Sequence, residues 1–365
     1  MAEARKILYV ASTASHLKRF HKPYLDALSK RAAVFTMANG DGVSYPMPFE
    51  KRFFSLANIG CVFKIRRILR REKFDLLVLN TSLAAFWARL ALVGLRKRPY
   101  VLNIVHGYLF SKHPRTFRER LLLLCERVLR GVTDEIATMN DADFWIAQRY
   151  HLCRGQVTKI SGMGFSIEEK IPKKQALRAE FTRSERDLLC VYVGELSERK
   201  NQRFLIECVW RLRFDWIPIR LLLVGDGEMR AALEREIEEL DLADAVTLIG
   251  NAEPPTPYFA AADLYLSASR SEGLPFNIME AMAMGLPIVA TNVKGQSDLL
   301  RGTSAKLIRA GDWEAFCNAV KSFYDNQTLG VGAVSYPNIP KYQLSAVFAE
   351  NLALLERCLE EEGRM

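Results

Sequence analysis

Twice along the chain, short aliphatic runs alternate with helical patterns, and this repeated alternation limits the fold more than any other feature. In the first half the runs lie at 7–11, 33–37, 76–79, 100–105 and 135–139. Their length and their β-branched and aliphatic content predict parallel strands buried on both faces. Helical patterns at 63–71, 83–95 and 117–129 separate them, with Pro114 read as opening the last. The second half restarts with runs at 188–193, 220–224, 245–249, 264–267 and 287–290, and helices near 200–213, 228–240, 275–284 and 312–325. Two successive series of this kind predict two doubly wound α/β domains. The polar segment IPKKQ at 171–175 reads as the linker between them, and a last helix is expected over about 342–360. The expected domains are 1–168 and 176–335, with 340–365 returning to pack on the first. Ligands of such sheets bind beyond the carboxyl ends of the strands, so two facing domains imply a deep cleft between them.

Composition narrows the setting. Of 365 residues, 49% are hydrophobic and 25% charged, as in an ordinary globular protein. The apolar run near the N-terminus stops at Ala11, too early for a signal-peptide core, and no stretch reaches the length of a spanning helix. Seven cysteines stand singly without a CxxC pair, which reads as reduced thiols and gives no zinc motif. These points predict a cytoplasmic protein. The net charge of +9 divides unevenly: residues 1–165 hold 28 Lys and Arg against 12 Asp and Glu, leaving the rest of the chain net acidic. Such asymmetry points to an anionic partner for the first half. No nucleic-acid-binding motif accompanies it, so nucleic acid is not expected.

The strongest chemical signal is SEGLPFNIMEAMAMGLPIVAT at 271–291. Gly273, Leu274 and Pro275 predict a turn, with Pro275 in the first helical turn. Backbone N–H groups of Phe276, Asn277 and Ile278 would then face outward from a helix N-terminus, an arrangement suited to a pyrophosphate. Glu280, one turn on, is placed to accept from the vicinal hydroxyls of a ribose. Glu272, before the turn, would lie on the side of a donor sugar. Met279, Met282 and Met284 read as core.

This segment resembles the family 4 retaining glycosyltransferases of the GT-B fold. Other stretches match in order: VYVGELSERKNQ (191–202) is similar to the family's first strand and basic loop, and LLLVGDGEMRAALE (221–234), with Gly225, to its glycine-rich turn. VTLIGNAE and YFAAADLYLSAS lead into the motif. The resemblance implies a GT-B architecture of two facing Rossmann-like domains, with the nucleotide sugar in the second and the acceptor in the first. It implies that Glu280 binds the ribose, that Glu272 touches sugar or phosphates, and that Arg199 and Lys200 neutralise the diphosphate. Cations and helix N–H groups would then stabilise the leaving group, with no metal and no further cofactor. Where the family often carries Arg after the glycine of the basic loop, this chain has Glu195, and Arg199 is read as the substitute.

The first half resembles, more loosely, the members that act in capsular and extracellular polysaccharide assembly. STASHLKRFHKPYLDAL (12–28) occupies the place of the family's first loop, which makes His16 and His21 candidates for acceptor contacts. VLNIVHGYLF (101–110) puts His106 at a strand end, where the resemblance implies contact with the reacting sugar. The implied reaction is sugar transfer with retention from a nucleotide-diphosphate sugar, UDP foremost, to a glycan or lipid-linked acceptor. A non-catalytic sugar-nucleotide-binding subunit and an epimerase on the same fold remain alternatives. The segment CVFKIRRILRREK (61–73) predicts a helix with Val62, Ile65, Ile68 and Leu69 facing the core and Lys64, Arg67 and Arg71 outward. Phe63, Arg66 and Arg70 flank that basic face, which suits peripheral docking on the anionic inner face of a membrane.

Overall fold

The computed structural model describes residues 4–50, 55–166, 174–327 and 334–361. The chain divides into two compact units, one of residues 1–164 and 341–365, the other of 165–340. Of the expected linker, 171–173 lie outside the described residues, and 174–175 belong to the helix Lys174–Phe181.

The first unit is built on a parallel sheet of seven strands among the described residues. They are β1 (Lys6–Thr13), β2 (Ala33–Asn39), β3 (Tyr45–Pro46), β4 (Leu76–Asn80), β5 (Tyr100–Val105), β6 (Glu135–Thr138) and β7 (Val157–Lys159), in the order β3-β2-β1-β4-β5-β6-β7. Strands β1 and β4 are buried along the aliphatic runs that marked them, as strands covered on both faces must be. The edge strands β3 and β7 give no apolar run, because an edge needs none. Two helices not expected from the sequence, Ala14–Phe20 and Lys22–Leu28, follow β1 directly. Thr13 starts the first by accepting the His16 backbone N–H on its side chain.

Caps set two helix starts, one well before its apolar pattern and one at the start of its pattern. The helix read as 63–71 runs over Leu56–Glu72, because Ser55 caps it by accepting from the Ala57 N–H. Pro114 does not open the next one: Thr116 and Glu119 form a reciprocal capping box, and the helix is Phe117–Val128. Between that helix and Ser82–Leu92, Arg89 donates two hydrogen bonds to Glu126 at 2.7 and 2.9 Å inside the core.

The last helix, Leu344–Glu360, belongs to this unit. Asn351 Nδ2 donates to the Tyr24 hydroxyl and to the Gly162 carbonyl, and Arg357 donates to the buried Glu135 carboxylate. The helix passes so close to Gly164, at φ +80°, that a β-carbon there would lie 2.6 Å from the Leu344 Cα.

The second unit repeats the plan. Its strands are β8 (Leu188–Val193), β9 (Ile219–Val224), β10 (Val246–Gly250), β11 (Leu264–Ser267), β12 (Ile288–Thr291) and β13 (Lys306–Ile308), in the order β10-β9-β8-β11-β12-β13. All paired strands are parallel, and helices including Gln202–Phe214 and Trp313–Gln327 pack on the buried aliphatic core. Both units are therefore Rossmann-like α/β domains.

Candidate functional site

The strand order of the second unit fixes where a ligand belongs. From β8 the chain steps to β9 and β10 on one side, then returns to β11 on the other. The crevice where the order reverses lies at the carboxyl ends of β8 and β11. The loops leaving those two strands carry Arg199, Lys200 and Glu272. They are laced together: the Arg270 N–H donates to the Arg199 carbonyl, and Asn201, in the left-handed region at φ 58°, donates through Nδ2 to the Ala268 carbonyl.

Lys200 Nζ donates to Glu272 Oε1 at 2.6 Å, and Arg199 Nη1 donates to Glu272 Oε2 and to the Ser271 carbonyl, each at 3.0 Å. Lys200 and Glu272 are both buried, whereas Arg199 is partly exposed. Burial alone would raise the Glu272 carboxyl, but the Lys200 and Arg199 charges outweigh it and hold the group below the ordinary carboxylate range. Burial pushes the Lys200 ammonium below the ordinary lysine range, against the pull of Glu272. Glu272 stays ionised, and two cations share it at the switch point.

The remaining residues singled out in this half surround that pair. Gly225, directly after β9 at φ +138°, meets the β8 loop so closely that a β-carbon would lie 2.0 Å from the Gly194 carbonyl oxygen. Gly273 is half-buried, and Leu274 and Pro275 are buried in the turn. Pro275 stands at the cap of the helix Phe276–Ala283, one residue earlier than expected, at φ −75°. Asn277 is buried, and its Nδ2 donates to the Val193 carbonyl at 2.6 Å, pinning the helix start to the end of β8. Glu280 lies half-buried on that helix, while Met279 and Met282 are core. Sequence reasoning missed Asn201 and Gly194, whose roles arise from loop-to-loop contacts between residues far apart in the chain.

In the first unit the order reverses between β1 and β4. Thr81, just past β4, holds a left-handed φ of 65° and accepts the Ser12 N–H at 3.0 Å. Such strain in a β-branched residue collects at functional sites, and nothing in the sequence announces it. His16 and His21, after β1, and His106, after β5, come together here. The ring centroid of His106 lies 4.7 Å from that of His16 and 5.7 Å from that of His21. Burial lowers the His16 imidazole to about 4. Burial, then neighbouring imidazoles, lowers His21 and His106 well below the ordinary range. Three neutral rings therefore share one pocket. The sequence assigned His16 and His21 separately from His106, since they stand 85 or more positions apart.

Among the described residues, no helix is long and apolar enough to cross a membrane. All seven cysteines are free thiols.

Residues 187–326 match the family described as Glycosyl transferases group 1. The chain is similar to EpsD of Bacillus subtilis, 28% identical over 338 residues that cover 89% of each protein. It is similar also to the UDP-Gal:alpha-D-GlcNAc-diphosphoundecaprenol alpha-1,3-galactosyltransferase of Escherichia coli, 24% identical over 277 residues, 74% of this chain and 71% of the relative. Among solved structures, Anabaena HepE in complex with UDP and glucose superposes with a TM-score of 0.74 at 19% identity, over 97% of this chain and 100% of that one. That likeness extends the two-domain fold over nearly the whole length. The stretch that matches the group 1 glycosyltransferases lies within the second unit and includes its cation–carboxylate cluster at the switch point.

Proposed function

We propose that the protein is a retaining, metal-independent glycosyltransferase that moves a sugar from a UDP-sugar to a glycan or lipid-linked acceptor in surface polysaccharide synthesis. The observation that carries this reading is the Arg199–Lys200–Glu272 cluster at the β8/β11 switch point, inside the matched family stretch. The names of the relatives favour it: one uses UDP-Gal on a diphosphoundecaprenol-linked sugar, and one solved neighbour holds UDP and glucose.

In this reading the second unit binds the donor. Lys200 and Arg199 stabilise the charge that grows on the leaving diphosphate, assisted by the N–H groups of Phe276 and Asn277. Glu280 accepts from the ribose hydroxyls. The ionised Glu272 positions both cations and faces the positive charge developing at the sugar. Neutral His106 in the first unit contacts the reacting sugar, and His16 and His21 line the acceptor side. No protein nucleophile is assigned: the departing phosphate takes the proton of the incoming hydroxyl on the face it leaves, which retains configuration.

The first unit is also assigned to an anionic membrane surface at the inner face of the cell membrane. On the helix Leu56–Glu72, Leu56 and Phe63 are 83% and 70% exposed, and Phe63, Arg66, Arg67, Arg70 and Arg71 line one surface hollow. An exposed aromatic among arginines suits a lipid interface. A thermal-shift panel of UDP-, GDP- and ADP-sugars tests the donor assignment. Stabilisation by UDP-sugars, growing with concentration, is expected, since a ligand bound only by the folded state raises Tm. No shift with any nucleotide sugar would overturn it.

A further inference from the structure

We propose that His16, His21 and His106 form a binding site for one divalent cation of the zinc class, held by one imidazole nitrogen from each. One ligating nitrogen from each ring lies within 4.8 Å of the others. His16 Nε2, both nitrogens of His21 and His106 Nε2 are buried with no hydrogen-bond partner in the structure. A buried imidazole nitrogen without a partner forfeits the hydrogen bonds it made to water. Here three rings that carry such atoms come together.

The fold holds these rings rather than merely permitting them. Thr13 fixes the start of the helix bearing His16, and His21 sits at the junction of that helix with Lys22–Leu28. His106 follows β5 directly. Phe20 packs 4.9 Å from the His16 ring, and Tyr9 5.8 Å from that of His21, giving the cluster apolar walls. A tetrahedral cation with metal–nitrogen bonds of about 2.0–2.1 Å places its ligands roughly 3.3–3.4 Å apart, so a closure of about 1.5 Å completes the site. The rings of His16 and His106 are half-buried and that of His21 is buried.

The donor set decides the class of cation. Three imidazoles without a carboxylate favour zinc, cobalt, nickel or copper over magnesium or calcium, which require oxygen ligands. A bound cation would engage His106, and in the proposed function, on which this consequence rests, it would slow transfer by withdrawing that ring from the sugar.

The test uses tag-free, full-length protein stripped with EDTA and titrated with cobalt(II) chloride alone. One cobalt per chain is expected, with the intense visible bands of tetrahedral nitrogen ligation, displaced by zinc chloride. His16→Gln, on a half-buried ring, and His21→Asn should each weaken cobalt binding at least tenfold. If His21→Asn fails to fold, His16→Gln carries the comparison. Absence of tetrahedral bands, sulfur-to-cobalt charge-transfer bands from the free thiols, or equal binding by wild type and His16→Gln would each overturn the site. Binding is read without any turnover assay, so a failure of the transfer reading leaves this result intact.

Discussion

Lys200 and Glu272, 72 residues apart, meet at 2.6 Å where the loops after β8 and β11 converge, and Arg199 completes the pair from the other carboxylate oxygen. Both members are buried, so each depends on the other for its charge. Removing Glu272 leaves Lys200 a buried ion without its partner, which costs about 3–5 kcal/mol, whereas removing Lys200 leaves Glu272 still paired with Arg199. Glu272→Gln should destabilise the fold by that order, Lys200→Met by less, and the double variant by clearly less than their sum. A double-mutant cycle from urea denaturation measures the coupling. Strict additivity would show that the pair is not a unit.

Glu280 lies on the helix after the turn, where the proposed ribose would present two hydroxyls. Glu280→Ala should leave the fold intact and weaken UDP binding roughly ten- to hundredfold, since each hydrogen bond to a charged group contributes about 1.5–3 kcal/mol. Calorimetric affinity equal to wild type would remove Glu280 from the donor site.

Membrane docking predicts co-sedimentation with phosphatidylglycerol vesicles at low salt that fades as salt screens the surface. Each basic group near an anionic surface contributes about 1 kcal/mol, so a Phe63→Ser, Arg67→Glu, Arg70→Glu variant should lose most binding. Equal binding to neutral vesicles, or none to anionic ones, would point to a soluble acceptor.

Glu119 provides a pH-dependent check on the segment that carries Arg115. Burial opposes its ionisation, but the Arg115, Thr116 and Ser111 N–H groups outweigh it and hold the carboxyl at about 2. A carboxyl depressed on folding stabilises the native state above its unfolded pKa, and that contribution is lost as pH falls toward the folded value. The stability gap between wild type and Glu119→Gln should therefore be full at neutral pH and close progressively between pH 4.5 and about 2. A gap unchanged at pH 3 would contradict the capping account.

The central strands were legible because a strand covered on both faces is mostly apolar without alternation, as in β4, β5 and β8. The edges β3, β7 and β13 were not, since two or three paired residues leave no periodicity. The helix Phe117–Val128 begins where its apolar pattern does, and the Thr116–Glu119 spacing, not Pro114, carries its cap. At the site, the glutamates in one motif could be singled out from local spacing. The meeting of Lys200 with Glu272, and of His16 and His21 with His106, depends on strand order, which local sequence does not encode. The strained Thr81 had no signal of its own.

Acceptor-dependent transfer tests the central claim most directly. The purified protein would be incubated with UDP-sugars, EDTA and an undecaprenyl-diphosphate-linked acceptor, with UDP release quantified and the anomeric configuration of the product read by NMR. The account predicts UDP release that requires the acceptor, persists in EDTA, retains the donor's configuration and falls sharply in His106→Ala. Inverted product, turnover without acceptor, a strict metal requirement or full activity in His106→Ala would each contradict it.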